Sequence, residues 1–263
     1  MSFFRSRRRA KLRAAPFPNP WRDIIQRNVP LFERLPRDDQ AELLGHVQVF
    51  LAEKHFEGCG GQKITDEVRV TIAAQACVLL LHRDADYYPR LTSILVYPNA
   101  YVLPDERALG GGLWEEVEHA VDGHTQEGLR AVVLTWDAVA RGASDLRDGH
   151  NLVLHEFAHQ LDFEDGSTDG APWLDSRQQY RTWARVLSGE FEAFRAATDA
   201  GEPTLLDEYG ATDPAEFFAV ATEFFFERAH ELRAKHPALY EQLQQFYRQD
   251  PASFPPRPGL PQP

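Results

Sequence analysis

Cysteine is nearly missing from this chain: 263 residues include only Cys59 and Cys77. Two thiols build no disulfide framework, and their spacing matches no zinc ribbon. They read as free thiols in a reducing compartment, which points to the cytoplasm. Long apolar runs are missing too. No stretch of about 18 uncharged apolar residues occurs, so no membrane-spanning helix is expected. The basic start Met1–Lys11 leads into no apolar segment of the kind a secretory signal carries. Positive charge is in deficit: 28 Lys and Arg stand against 40 Asp and Glu, for a net charge of −12. Phosphate contacts need clustered Lys and Arg, so direct nucleic-acid binding is not expected. No internal repeat is present.

What remains is an ordinary globular composition, 43% apolar and 26% charged, in a chain long enough to bury a substantial core. Three regions are expected. Residues 1–15 form a flexible basic N-terminus, 16–250 a single folded domain, and 251–263 a proline-rich unpacked tail. Trp21–Arg27 and Arg37–Phe50 read as helices interrupted by Pro30 and Pro36. Residues 66–81, opened by Thr65, read as a buried helix. Strand-like runs follow at Ser93–Tyr97, Leu113–Val117 and Ala131–Leu134, with turns at Gly110–Gly112 and Asp122–Gly123. Helical patterns cover about 148–163, 175–198, 213–230 and 237–249. Helices, then a small sheet, then helices suggest an α+β fold rather than a regular alternation.

One motif carries chemistry: His155-Glu156-Phe157-Ala158-His159. Two histidines four apart share a helix face and can reach a common metal ion. Glu156 projects beside that site, where it can take a proton from a metal-held water. Asp148 is the expected N-cap, and Leu152, Val153, Phe157, Ala158 and Leu161 supply the buried face. A catalytic zinc takes a third protein ligand and leaves one position open. One route continues as HExxHxxGxxH, but the glycine position is Asp162, the last histidine position is Asp165, and Met1 is the only methionine. That route is rejected. The other takes a glutamate from the helix opened by Asp213-Pro214, where Glu216 and Glu223 share a face. Spacing alone leaves both open, because Asp213…Glu216 also fits a capping box. Asn151 and Asp162 lie one turn before and beyond the histidines, where either can orient an imidazole.

The segments Asn151–Asp162 and Tyr209–Phe226, with Ala73–Leu81 and Leu95–Pro98, resemble the Mlc titration factor A family of bacterial zinc peptidases over most of residues 20–250. The His-Glu-Phe-x-His helix and the Tyr-Gly-x-Thr-x-x-Ala-Glu-Phe-Phe-Ala segment are also similar to the catalytic domain of anthrax lethal factor. The resemblance implies a zincin-like fold, mostly helical with a small mixed sheet. It implies Zn²⁺ held by His155, His159 and Glu216. Glu156 would be the general base and Tyr209 the donor to an oxyanion, in gluzincin-type hydrolysis of a peptide substrate. It further implies a link to sugar-uptake control, with a transcriptional repressor as an alternative partner that the protein sequesters. A substrate strand pairing with Ser93–Tyr97, and a tail over the cleft, are further expectations.

Overall fold

Residues 3–13 overturn one expectation. In the computed structural model, which describes residues 3–84, 86–99, 101–110, 113–121, 123–126 and 130–255, the basic start is helix α1, Phe3–Arg13, packed on α4, Arg37–Glu53. Two of its charges, Arg5 and Arg9, are paired with Glu53 and Asp86 of the body of the protein. Arg9 is 3% exposed. Its Nε and Nη2 each donate to Glu53 at 2.8 Å, Nη1 donates to Asp86 at 2.5 Å, and the guanidinium lies 4.6 Å from the Tyr87 ring centroid. Hydrogen bonding from Arg9, more than any other influence, holds the Glu53 carboxyl down at about 2, below its ordinary 4.5. A depressed carboxylate stabilises the fold above its ordinary range and loses that contribution as pH falls towards its folded value. Arg9→Ala therefore lowers unfolding free energy at neutral pH by about 3 kcal/mol and flattens the acid limb of the stability curve between about pH 4.5 and 2. Urea titrations of both proteins at several pH values check this.

Between α1 and α4 run α2, Asn19–Asn28, and α3, Leu31–Arg34. Helix α5, Asp66–Val78, begins where Thr65 accepts the Val68 amide. It ends three residues short of the expected stop, and Leu79, Leu80 and Leu81 remain buried in the turn that follows.

The main sheet has the order β1-β2-β6-β5. Strands β1 (His55–Gly58), β2 (Ser93–Tyr97) and β6 (Ala131–Thr135) are parallel, and β5 (Gly123–Gln126) is antiparallel to β6. Ile94 and Val96 face the core, and every residue of β6 is buried. The expected run at 113–117 is the start of β4, Leu113–Val121, which pairs antiparallel with β3, Tyr101–Gly110, in a separate two-stranded sheet. Gly111, Gly112 and Asp122 of the expected turns lie outside the described residues. The idea that β2 pairs with a substrate fails. Both of its edges are already hydrogen-bonded, to β1 and to β6, and a sheet accepts a new strand only at a free edge.

The second half is helical: α6 (Trp136–Ser144), α7 (Leu152–Asp162), α8 (Arg177–Asp199), α9 (Pro214–Glu227), α10 (Ala229–Lys235) and α11 (Pro237–Tyr247). Helix α7 runs through the core. Phe157 is fully buried, its ring 4.8 Å from that of Tyr88 and 5.7 Å from that of Phe50. Gly142 of α6 makes the approach to α7 possible, since a Cβ there would lie 2.8 Å from the His150 carbonyl oxygen. Residues 251–255 are not the unpacked tail expected there. Pro251–Ser253 form a short 3-10 turn, and Ala252 and Phe254 are buried. Residues 256–263, and with them the occluding tail, lie outside the described residues.

Candidate metal centre

Helix α7 starts at Asn151, not at Asp148. The Asn151 side chain accepts the Leu154 amide at 3.1 Å, while Asp148 caps a loop turn by accepting the His150 amide. From that start, Val153, Leu154, Phe157, Ala158 and Leu161 turn into the core. His155 and His159 fall on the face towards α9. That helix is fixed by Pro214 in its first turn and by Asp213, whose carboxylate accepts the Ala215 and Glu216 amides at 2.9 and 3.0 Å. Asp213 thus caps as the sequence suggests. The Glu216 carboxylate, however, turns to the histidines.

Three donor atoms converge. His155 Nε2 lies 3.0 Å from Glu216 Oε2 and 3.2 Å from His159 Nε2, and His159 Nε2 lies 3.3 Å from Glu216 Oε2. Metal bonds of about 2.0–2.1 Å at tetrahedral angles give ligand–ligand edges of about 3.3 Å. The observed triangle has that size without rearrangement. Two imidazole nitrogens and one carboxylate oxygen are also the donor set of a catalytic zinc site with one position left open. Among the described residues, His155, His159 and Glu216 form the only cluster of this kind.

The field around the triangle favours positive charge. Burial pushes the His155 imidazolium down, but the hydrogen bonds it donates to Glu216 and Glu223, with the charges of Glu223 and Glu156, raise it well above its ordinary value. Burial pushes Glu216 up, and its hydrogen bonds to both histidines more than reverse this, holding it far below the usual carboxylate range. Glu156 is 4% exposed, and its charge is felt by both His155 and Tyr209.

Glu223, the rival third ligand, sits on the other side of the ring. Its Oε1 lies 2.8 Å from His155 Nδ1 and its Oε2 accepts the Asn151 amide. Asn151 Nδ2 donates onward to Glu227 Oε1 at 3.0 Å. Glu223 therefore selects the tautomer with the proton on Nδ1 and presents Nε2 outward, as an orienting carboxylate does. This relay was not foreseen. Its signal is in the sequence: Glu216, Glu223 and Glu227 recur at helical spacing on one face of α9. Asn151 meets the His155 imidazole through Glu223, and its carbonyl accepts the His155 amide at 2.9 Å. Asp162 does not orient His159: His159 Nδ1 and Asp162 Oδ1 are both buried without a hydrogen-bond partner among the described residues. Burial pushes the Asp162 carboxyl up to about 6, against the pull of the Gly170 amide that donates to its Oδ2.

Tyr209 stands at the rim. It belongs to a 3-10 turn, Glu208–Ala211, whose cap Asp207 accepts the Tyr209 amide at 2.8 Å. Its ring centroid is 6.0 Å from that of His155. Partial burial, then the charge and hydrogen bonding of Glu216, push the hydroxyl up to about 12. It stays protonated at neutral pH and available as a donor. No described helix is long and apolar enough to cross a membrane.

Comparison with known proteins agrees with this geometry. The family model of the glucose-regulated metallo-peptidase M90 matches residues 3–248. An uncharacterized protein of Synechocystis sp. is 38% identical, with 93% of this chain and 89% of that protein covered. Proteins called Mlc titration factor A from Salmonella schwarzengrund and Salmonella typhimurium are each 31% identical, with 89% of this chain and 87% of theirs covered. The chain belongs to the glucose-regulated metallo-peptidase M90 family.

Proposed function

We propose that this protein hydrolyses peptide bonds with one zinc ion held by His155, His159 and Glu216. The observation that carries the reading is the triangle of donor atoms with edges of 3.0, 3.2 and 3.3 Å. When bound, zinc supplies Lewis-acid polarisation and lowers the pKa of an attacking water. Glu156, beside the triangle on α7, takes the proton from that water and returns it to the leaving amine. Tyr209 donates to the oxyanion through a hydroxyl that its surroundings keep protonated. Glu223 holds the His155 ring. The two unpaired thiols support a cytoplasmic setting.

Zinc content measured beside hydrolysis of a peptide panel tests the reading. Dialysis against a chelator should abolish cleavage, and zinc should restore it with about one ion per chain. Cleavage that survives complete metal removal would sink the proposal. Tyr209→Phe should retain zinc and lower kcat by about 10²-fold. The residue is 56% exposed, so the fold should not suffer. An unchanged kcat would leave Tyr209 a surface residue only.

The name carried by the Salmonella relatives supports a second reading, in which the chain binds a repressor of the Mlc type and withdraws it from DNA. Zinc-loaded Glu156→Gln separates the two. Repressor binding that survives in this variant favours sequestration. Loss of the regulatory effect together with cleavage favours proteolysis.

A further inference from the structure

A separate concavity has Leu161 of α7 in its wall. It is a cavity of about 410 Å³ between the turn after α5, the loop before α8, and α11. That volume falls in the range of small-molecule sites. None of His155, Glu156, His159, Tyr209 and Glu216 lines it. Three aromatic rings wall it: Trp183 and Phe246 are buried, whereas Trp173 is 61% exposed at the rim. An indole so open offers a flat apolar face to a ligand.

The polar groups in the wall are unfinished. Gln242 lines the cavity and is 7% exposed, and its carboxamide is not among the buried atoms left without a partner, so it can bond to a ligand there. Arg83 stacks 4.1 Å from the Phe246 ring centroid, and its Nη1 is buried without an acceptor among the described residues. These groups ask for a ligand carrying both donors and acceptors.

Charge narrows the class. Arg248 is tied to Asp175 at 3.0 Å, and Asp86 is tied to Arg9. Asp84 and Glu164 then stand against Arg83 alone, so the wall has no surplus of positive charge for an anion. A cation fails for the opposite reason, since it gives Arg83 Nη1 no acceptor. Hydroxyl groups do both jobs: they accept from Arg83 and Gln242 and donate to the carboxylates.

We infer that this cavity binds a neutral polyhydroxylated ligand of mono- or disaccharide size, its C–H face on Trp173 and its hydroxyls on Arg83 and Gln242. The site does not depend on the metal reading, because it shares no residue with the triangle. Calorimetric titration of the full chain, with and without zinc, tests it. The probes are glucose, N-acetylglucosamine, maltose and cellobiose, beside a glucose phosphate ester and glucosamine. At least one neutral sugar should bind one to one, with or without zinc, in the micromolar to millimolar range. Trp173→Ala and Gln242→Leu should each weaken it by about tenfold, and Trp173→Ala should leave the melting temperature unchanged. The inference is overturned if no neutral probe saturates by about 100 mM. It is also overturned if both variants bind as wild type does, or if a charged sugar binds more tightly than glucose.

Discussion

Glu156→Gln should keep its zinc and lose peptide hydrolysis, with kcat down by about 10²–10⁴-fold or more. The zinc is kept because Glu156 is not one of the three converging donors. The fold is kept because glutamine has the same shape in a site only 4% exposed, where alanine would leave a cavity. Hydrolysis is lost because a neutral amide cannot accept a proton from water. A small cost in metal affinity is also expected, since the Glu156 charge contributes to the field that favours a cation beside His155. Metal analysis, a thermal melt and steady-state cleavage on the same preparation separate these effects. Full activity in a zinc-loaded variant would remove Glu156 from the chemistry. A variant without zinc would make Glu156 part of the binding site instead.

The sequence was most legible where a short-range rule operates. Thr65, Asp213 and Pro214 mark helix starts by local hydrogen bonding and fixed φ, and each starts a helix here. The apolar spacing around Phe157 points α7 the right way. Legibility failed where the decisive partner is distant. Asp148 and Asn151 are both good caps by composition, and only the buried acids of α9 make Asn151 the one used. The basic N-terminus reads as flexible because Glu53 and Asp86, the partners of Arg9, lie 44 and 77 residues away. Strand β1 is too short and too polar to announce itself, and it exists because the edge of β2 is there to pair with. The two histidines could be read directly from their spacing. Glu216 and Glu223 could not be told apart that way, because both project from one face of α9 and only the position of α7 decides which nitrogen each one meets.

That distinction is open to measurement. Glu216→Ala removes one of three donors. Zinc binding free energies of about 10–16 kcal/mol, spread over four ligands, come to about 3 kcal/mol each, so affinity should fall by about 10²-fold or more. Glu223→Ala leaves all three donors but frees the His155 ring and strands the buried Asn151 amide. Loss of such an orienting carboxylate costs about 10–100-fold. The two ranges touch, so the alanine variants alone do not decide. Glutamine variants do. At position 223 an amide oxygen can still accept from His155 Nδ1, while its NH2 no longer accepts the Asn151 amide, so Glu223→Gln should recover part of the affinity. At position 216 an amide oxygen is a poor substitute for a carboxylate ligand, and Glu216→Gln should behave like the alanine variant. Competition titrations with a chromophoric zinc chelator read all four. Rescue at 216 alone would assign the third ligand to Glu223, and equal rescue at both would remove Glu216 as the carboxylate ligand. The expected pattern would fix Glu216 on the metal and Glu223 behind the ring, one turn of α9 acting on each nitrogen of the same histidine.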